Sequence, residues 1–124
     1  MTLLLVALGG GLGAAARYVV DSLLPSGGAD RVPRGTTAVN LSGSLLAGAL
    51  VGALADGALD PRVYVVALAG FCGGYTTFST ASLEAVRLLQ RGRPWRAAGY
   101  ALGSLLGTVA AAALGAWAAV AVLG

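Results

Sequence analysis

Hydrophobic positions fill the chain in four long runs that short polar stretches separate. The runs cover about residues 3–24, 36–55, 62–87 and 97–123. A helix needs roughly 20 mainly apolar residues to cross a hydrocarbon core about 30 Å thick, and each run meets that length. The pattern predicts an all-α membrane protein, with residues 1–124 forming a single domain of four transmembrane helices. No charged side chain precedes Arg17, so the first run lacks the positively charged n-region of a signal peptide. We therefore expect the first run to remain as a transmembrane span.

The third run contains a glycine- and hydroxyl-rich segment, residues 70–80 (GFCGGYTTFST). Backbone that leaves helical geometry at membrane depth is tolerated only where it is buried in protein or lines a watery cavity. Carbonyls freed from a helix can coordinate a cation, and the N-termini of half-helices favour anions. The segment therefore predicts a helix that is broken in mid-span, with a site or a pathway at the break.

Composition narrows the class of protein. Hydrophobic residues make up 57% of the chain and charged residues 10%, and the chain has neither histidine nor lysine. In soluble proteins, roughly a quarter of all residues are charged. Histidine-ligated metal sites and histidine general-base chemistry are excluded, and the single cysteine, Cys72, cannot form an intrachain disulfide. We expect neither an enzyme nor a nucleic-acid-binding protein.

The eight arginines predict the orientation of the spans. Arg31, Arg34, Arg91, Arg93 and Arg96 lie in the first and third loops, whereas Arg62 alone lies on the opposite side. Cytoplasmic loops carry an excess of basic residues. We therefore predict a multi-pass protein of the cell membrane with both termini outside and the arginine-rich loops in the cytoplasm.

Small residues recur every four positions in three of the spans. Such faces let helix backbones approach closely in lipid, so they predict a tight bundle. The positions are Gly9 and Gly13; Ser44, Gly48 and Gly52; and Gly99, Gly103 and Gly107. Residues 9–14 (GGGLGA) also match a dinucleotide-binding fingerprint, but a polar loop and another span follow where a second strand would be needed, so we reject nucleotide binding.

Several polar or aromatic side chains within the spans have two interpretations each. Asn40 either makes an interhelical or helix-start hydrogen bond or points a donor into a pore. Tyr100, Ser104 and Thr108 share one helix stripe and form either a polar track or bonds to their own backbone. Phe78 either packs in the core or turns the positive edge of its ring toward an anion.

Two charged residues lie close to or within spans. Glu84 and Arg87 are i, i+3 neighbours and can pair at a helix end. Arg17 can extend to the membrane surface or attract anions to a vestibule.

These motifs resemble the Fluc/CrcB family of fluoride channels along essentially the whole chain. The matching segments are residues 9–18 (GGGLGAAARY), 35–43 (GTTAVNLSG) and 73–80 (GGYTTFST). The resemblance implies two antiparallel subunits whose broken third spans cross at the centre, where carbonyls matching Gly73 and Thr76 hold a structural sodium ion. It also implies passive export of fluoride from the cytoplasm. The implied fluoride paths are lined by Asn40, Phe78, Ser79, Thr80, Tyr100, Ser104 and Thr108.

The chain departs from the family at Ala81, where the third-span motif usually carries a second phenylalanine. The arginine bias also differs from the near-neutral loops expected of a subunit that inserts in both directions. We hypothesise that the chain pairs with an oppositely oriented paralogue, with a second copy of itself as the other option. A non-conducting structural subunit is an alternative function. A small proton-coupled drug exporter fits less well, because the spans lack a mid-depth carboxylate.

Overall fold

The chain is helical through most of residues 1–25, 28 and 31–124, which the computed structural model describes. Three helices are long and apolar enough to cross a membrane: α1 (Thr2–Leu23), α2 (Arg34–Ala55) and α6 (Pro94–Leu123). Between α2 and α6 lie α3 (Pro61–Val65), a π-helical segment (Val66–Cys72), α4 (Gly73–Tyr75) and α5 (Phe78–Gln90). The all-helical prediction is confirmed. Part of the first polar loop, namely Ser26, Gly27, Ala29 and Asp30, lies outside the described residues.

The third predicted span is a series of shorter helical pieces. Asp60 caps its start, because the Asp60 Oδ1 atom accepts a hydrogen bond of 2.7 Å from the Arg62 amide. Helical geometry then continues through Tyr75, so the glycines of the GFCGGY stretch are not unwound. Only Thr76 (φ −84°, ψ 161°) and Thr77 (φ −149°, ψ 117°) are extended. The break is therefore narrower than the sequence suggests.

Close helix packing occurs at some of the predicted small residues. A methyl group built on Gly48 would collide with the Ala112 carbonyl of α6, and one built on Gly115 would collide with the Leu45 carbonyl of α2. Gly13 of α1 lies equally close to the Phe71 carbonyl. The backbones of α2 and α6, and of α1 and the π-helical segment, thus touch with no room for a side chain.

Two of the predicted small residues of α6 do not contact a neighbouring helix. A methyl group on Gly99 or Gly103 would meet no atom within 4 Å. These two glycines face open space in the single chain, and α6 approaches α2 through Gly115 instead.

Few side chains are buried inside the single chain. One small cluster joins α5 to α6 through Leu88, Ala97 and Tyr100, and Ala81 and Ala85 pack against it. Most leucines and valines of α1 and α6 are exposed. An apolar exterior of this kind is expected where lipid or another subunit covers the helices.

Candidate functional site

Asn40 of α2 anchors the extended break. Its Nδ2 atom donates to the Thr77 carbonyl at 2.9 Å, and its Oδ1 atom accepts from the Thr77 amide at 2.8 Å. Both residues are buried, with 8% of Asn40 and 7% of Thr77 exposed. The interhelical hydrogen bond that the sequence left as one interpretation is therefore present. It uses one of the two Nδ2 hydrogens, so the same amide keeps a second donor.

The break releases two carbonyls from their usual partners. In a continuous α-helix the Thr77 amide would donate to Gly73 and the Thr80 amide to Thr76. Here the Thr77 amide donates to Asn40, and the Thr80 amide donates to the Thr77 Oγ1 atom at 3.2 Å. The Gly73 and Thr76 carbonyls are the two that the family resemblance implies as sodium ligands. Backbone carbonyls freed in this way are the ligands that broken membrane helices offer to sodium.

Thr77 also begins α5. Its side chain accepts from the Thr80 amide and hydrogen-bonds the Thr80 hydroxyl at 3.0 Å, which is N-cap geometry. Thr77 is not among the residues predicted from the sequence, although threonine is one of the residue types favoured at a helix N-cap. Phe78 follows directly and is 89% exposed. The cap thus fixes the direction of an aromatic ring that nothing in the single chain covers.

A groove of about 500 Å³ lies beside the break, between α2, α5 and α6. It brings together five of the predicted pathway residues: Asn40, Phe78, Tyr100, Ser104 and Thr108. Ser44, Ala81, Ser82 and Ala85 also line it. Ser79 and Thr80 lie next to the groove rather than in its lining, and both hydroxyls approach the Thr77 Oγ1 atom.

The Thr108 and Tyr100 hydroxyls on α6 differ in their hydrogen bonding. Thr108 donates to the Ser104 carbonyl at 2.8 Å, so its proton is directed to its own helix. The Tyr100 hydroxyl is buried and has no hydrogen-bond partner among the described residues. A buried donor without a partner is costly unless something accepts its proton. Tyr100 and Asn40 both line the groove, so their unused donors are the candidates for contact with an anion there.

Arg17 and Glu84, the two charged residues selected from the sequence, have different surroundings. Arg17 of α1 approaches the break, with its Nη1 atom 3.5 Å from the Thr76 carbonyl oxygen. Glu84 pairs with Arg87 at 3.4 Å, as predicted. Arg87 lies in the last turn of α5 and both side chains are partly exposed, so Glu84 is a paired carboxylate and not the isolated one that a proton-coupled exporter needs.

Comparison with known proteins gives a consistent family. Residues 4–116 match the family described as "CrcB-like protein, Camphor Resistance (CrcB)". The "Fluoride-specific ion channel FluC 1" of Leifsonia xyli is 50% identical over 119 residues, which cover 94% of this chain and 85% of that protein. The "Fluoride-specific ion channel FluC" of Anaeromyxobacter dehalogenans is 43% identical over 111 residues, 89% of this chain and 88% of that protein. The protein of the same name from Gloeobacter violaceus is 46% identical over 108 residues, 86% of each chain.

Proposed function

The chain belongs to the CrcB family, and on that premise we propose that it is a subunit of a fluoride-selective channel that lets cytoplasmic fluoride leave the cell passively. The observation that carries the proposal is the groove beside the break, which gathers Asn40, Phe78 and Tyr100 in one lining. Fluoride is small and strongly hydrated, so a dry pathway must replace its water with donors. The amide, the tyrosine hydroxyl and the positive edge of the Phe78 ring supply such contacts without any group that changes its charge near neutral pH.

The pathway runs along α6 in this proposal. Asn40 and Tyr100 hold the ion beside the break, and Ser104 and Thr108 continue the donors along the helix. Thr108 must turn its proton away from the Ser104 carbonyl before it can donate to fluoride. Hydroxyl rotation of this kind is cheap, because the proton exchanges one acceptor for another.

A structural sodium ion fits the freed carbonyls of Gly73 and Thr76. None of the described residues forms a group of three metal-ligating His, Cys, Asp or Glu side chains, so backbone oxygens are the available ligands. When bound, sodium would be held by carbonyls at the C-terminal, negative end of the half-helix that precedes the break. The Arg17 guanidinium near the Thr76 carbonyl would repel a bound sodium ion. We therefore expect the Arg17 side chain to move away from this oxygen when sodium binds.

Two antiparallel subunits complete the channel in this proposal. The exposed Phe78 ring and the apolar groove beside it would be covered by the broken span of the second subunit. Ala81 lies in the same groove, where its small side chain leaves space that a phenylalanine from a partner can occupy. We favour an oppositely oriented paralogue as the partner, because the arginine bias selects one orientation for this chain.

A non-conducting role remains the second candidate, and Ala81 is the feature that favours it. In that case the chain would support the pathway of its partner without carrying fluoride itself. Changing Phe78 to Leu would then leave transport by the complex unchanged.

Fluoride efflux from liposomes tests the proposal. Vesicles loaded with potassium fluoride receive the chain alone or the chain with its paralogue, and a fluoride electrode follows release after valinomycin is added. Chloride-loaded vesicles are the control for selectivity. Release that is selective for fluoride and lost on Phe78→Leu supports the channel. A folded, correctly paired complex that releases no fluoride, or releases both halides equally, contradicts it.

A further inference from the structure

A basic pocket opens where the first turn of α2 meets the first turn of α6. Its volume is about 750 Å³, and Arg31, Arg34 and Arg96 line it. No acidic side chain is among its described lining residues. Guanidinium groups bind phosphate through paired hydrogen bonds, and three of them around one space favour a compact phosphate-bearing anion.

An apolar groove of about 370 Å³ continues from this pocket along α6. Val32, Thr37, Leu41 and Arg96 line both spaces, so the two are joined. The floor of the groove is formed by Gly99, Gly103 and Gly107. Because a methyl group on Gly99 or Gly103 would meet no atom within 4 Å, the missing side chains leave a trough on the surface of the helix.

We propose that the pocket and the groove together bind one anionic phospholipid. The phosphate lies against Arg31, Arg34 and Arg96, and one acyl chain lies along the trough above Gly99 and Gly103. The combination points to a lipid rather than to a free anion, because a free anion has no apolar part that could occupy the groove. It points to an anionic lipid rather than a neutral one, because basic pockets between transmembrane helices complement negatively charged head groups.

This site is separate from the fluoride groove but shares a wall with it. Tyr100 and Ser104 line both spaces. The lipid would therefore pack behind two of the side chains that face the ion. Its binding does not depend on fluoride conduction, so the two proposals can fail independently.

Native mass spectrometry of the protein released from nanodiscs tests the lipid site. The nanodiscs contain equal amounts of phosphatidylglycerol and phosphatidylcholine, and the ratio of the two lipids retained on the protein is measured. Arg34→Gln and Arg96→Gln remove one charge each, with Arg62→Gln at the other end of the bundle as the matched control. Gly103→Leu fills the trough, and Gly11→Leu, also in open space, is its control on α1.

We expect the wild-type protein to retain phosphatidylglycerol preferentially. Each pocket arginine removed should lower the ratio about fivefold, since a basic residue near an anionic head group contributes on the order of a factor of five in affinity. Gly103→Leu should lower the retained lipid severalfold, while Arg62→Gln and Gly11→Leu leave it unchanged. The variants are compared only after circular dichroism shows unchanged helix content.

Three results would overturn the proposal. Equal losses for Arg62→Gln and Arg34→Gln would mean that the arginines attract lipid only through net charge. Displacement of phosphatidylglycerol by glycerol phosphate would mean that the pocket binds the free anion. A Gly103→Leu protein that loses its dimer but keeps the lipid would mean that a second subunit, and not an acyl chain, covers the trough.

Discussion

A single amide side chain fixes the shape of the break. Asn40 accepts the hydrogen bond from the Thr77 amide that Gly73 would accept in a continuous helix, and it donates an additional one to the Thr77 carbonyl, both in a buried setting. Asn40 also lines the groove that holds Tyr100. In the proposed channel the same residue also contacts the ion, so a substitution there should affect both stability and conduction.

Asn40→Ala should lower stability and fluoride conduction together. The change leaves the buried Thr77 amide without this partner and removes one hydrogen bond from the Thr77 carbonyl, and an unpaired buried group costs about 1–3 kcal/mol. Thermal unfolding in detergent and fluoride efflux from liposomes measure the two effects. Ser44→Ala, one turn along the same groove, is the control and should change the unfolding temperature little. An Asn40→Ala protein as stable as the wild type would show that the pair with Thr77 is not needed.

The sequence predicts the identity of the polar residues better than their partners. Asn40 stands out because an amide within an apolar span is costly unless it contacts protein or water. Its bond to Thr77 depends on how far α2 is shifted along the third run, and no local pattern encodes that shift. The extent of the break has the same origin, because Gly73 and Gly74 remain helical whereas Thr76 and Thr77 do not.

At the scale of helices, equal spacing of small residues leads to different surroundings. Gly48 meets the α6 backbone directly, whereas Gly103 meets nothing within 4 Å. Four-residue spacing identifies a face of a helix, but it does not say which neighbour that face meets. The tight bundle was therefore predictable, and the pairing of α2 with Gly115 rather than with Gly99 and Gly103 was not.

Gly48→Ala should weaken the pairing of α2 with α6. The added methyl group would collide with the Ala112 carbonyl, and such overpacking costs about 1–3 kcal/mol. Gly11→Ala adds the same methyl group to a helix position with open space and should be neutral. Comparing the two unfolding temperatures in detergent tests the contact. Equal values for both variants would contradict the close approach of the two backbones.

At the scale of the whole molecule, we propose that the groove beside Ala81 determines whether the chain can conduct with a second copy of itself. Ala81→Phe places a ring at the position that the family motif usually fills, next to Phe78. We expect fluoride efflux from the chain alone to rise from near zero to a readily measured rate. Ala85→Phe, in the same groove one turn further along α5, is the matched control and should not restore efflux. If the unmodified chain already conducts rapidly alone, the need for a paralogue is refuted.

The orientation of the chain can be measured with single cysteines. Cys72 is buried, and Cys72→Ala gives a background without other thiols. We expect a membrane-impermeant thiol reagent to label Gly124→Cys in intact cells but to reach Gln90→Cys only after lysis, because the arginine bias predicts that the first and third loops lie in the cytoplasm. Labelling of both cysteines in intact cells would indicate a chain that inserts in two orientations.

The contact between Asn40 and Thr77 also bears on the order in which the protein is made. During synthesis α2 precedes the third run, so the amide is already in the bilayer when the two threonines enter it. The polar backbone of the break can then be paired on arrival, rather than waiting unpaired in lipid, where each free group is expensive. A chain rearranged so that α2 is synthesised last would lose this advantage and should insert its third run poorly, even though the finished protein would contain the same contacts.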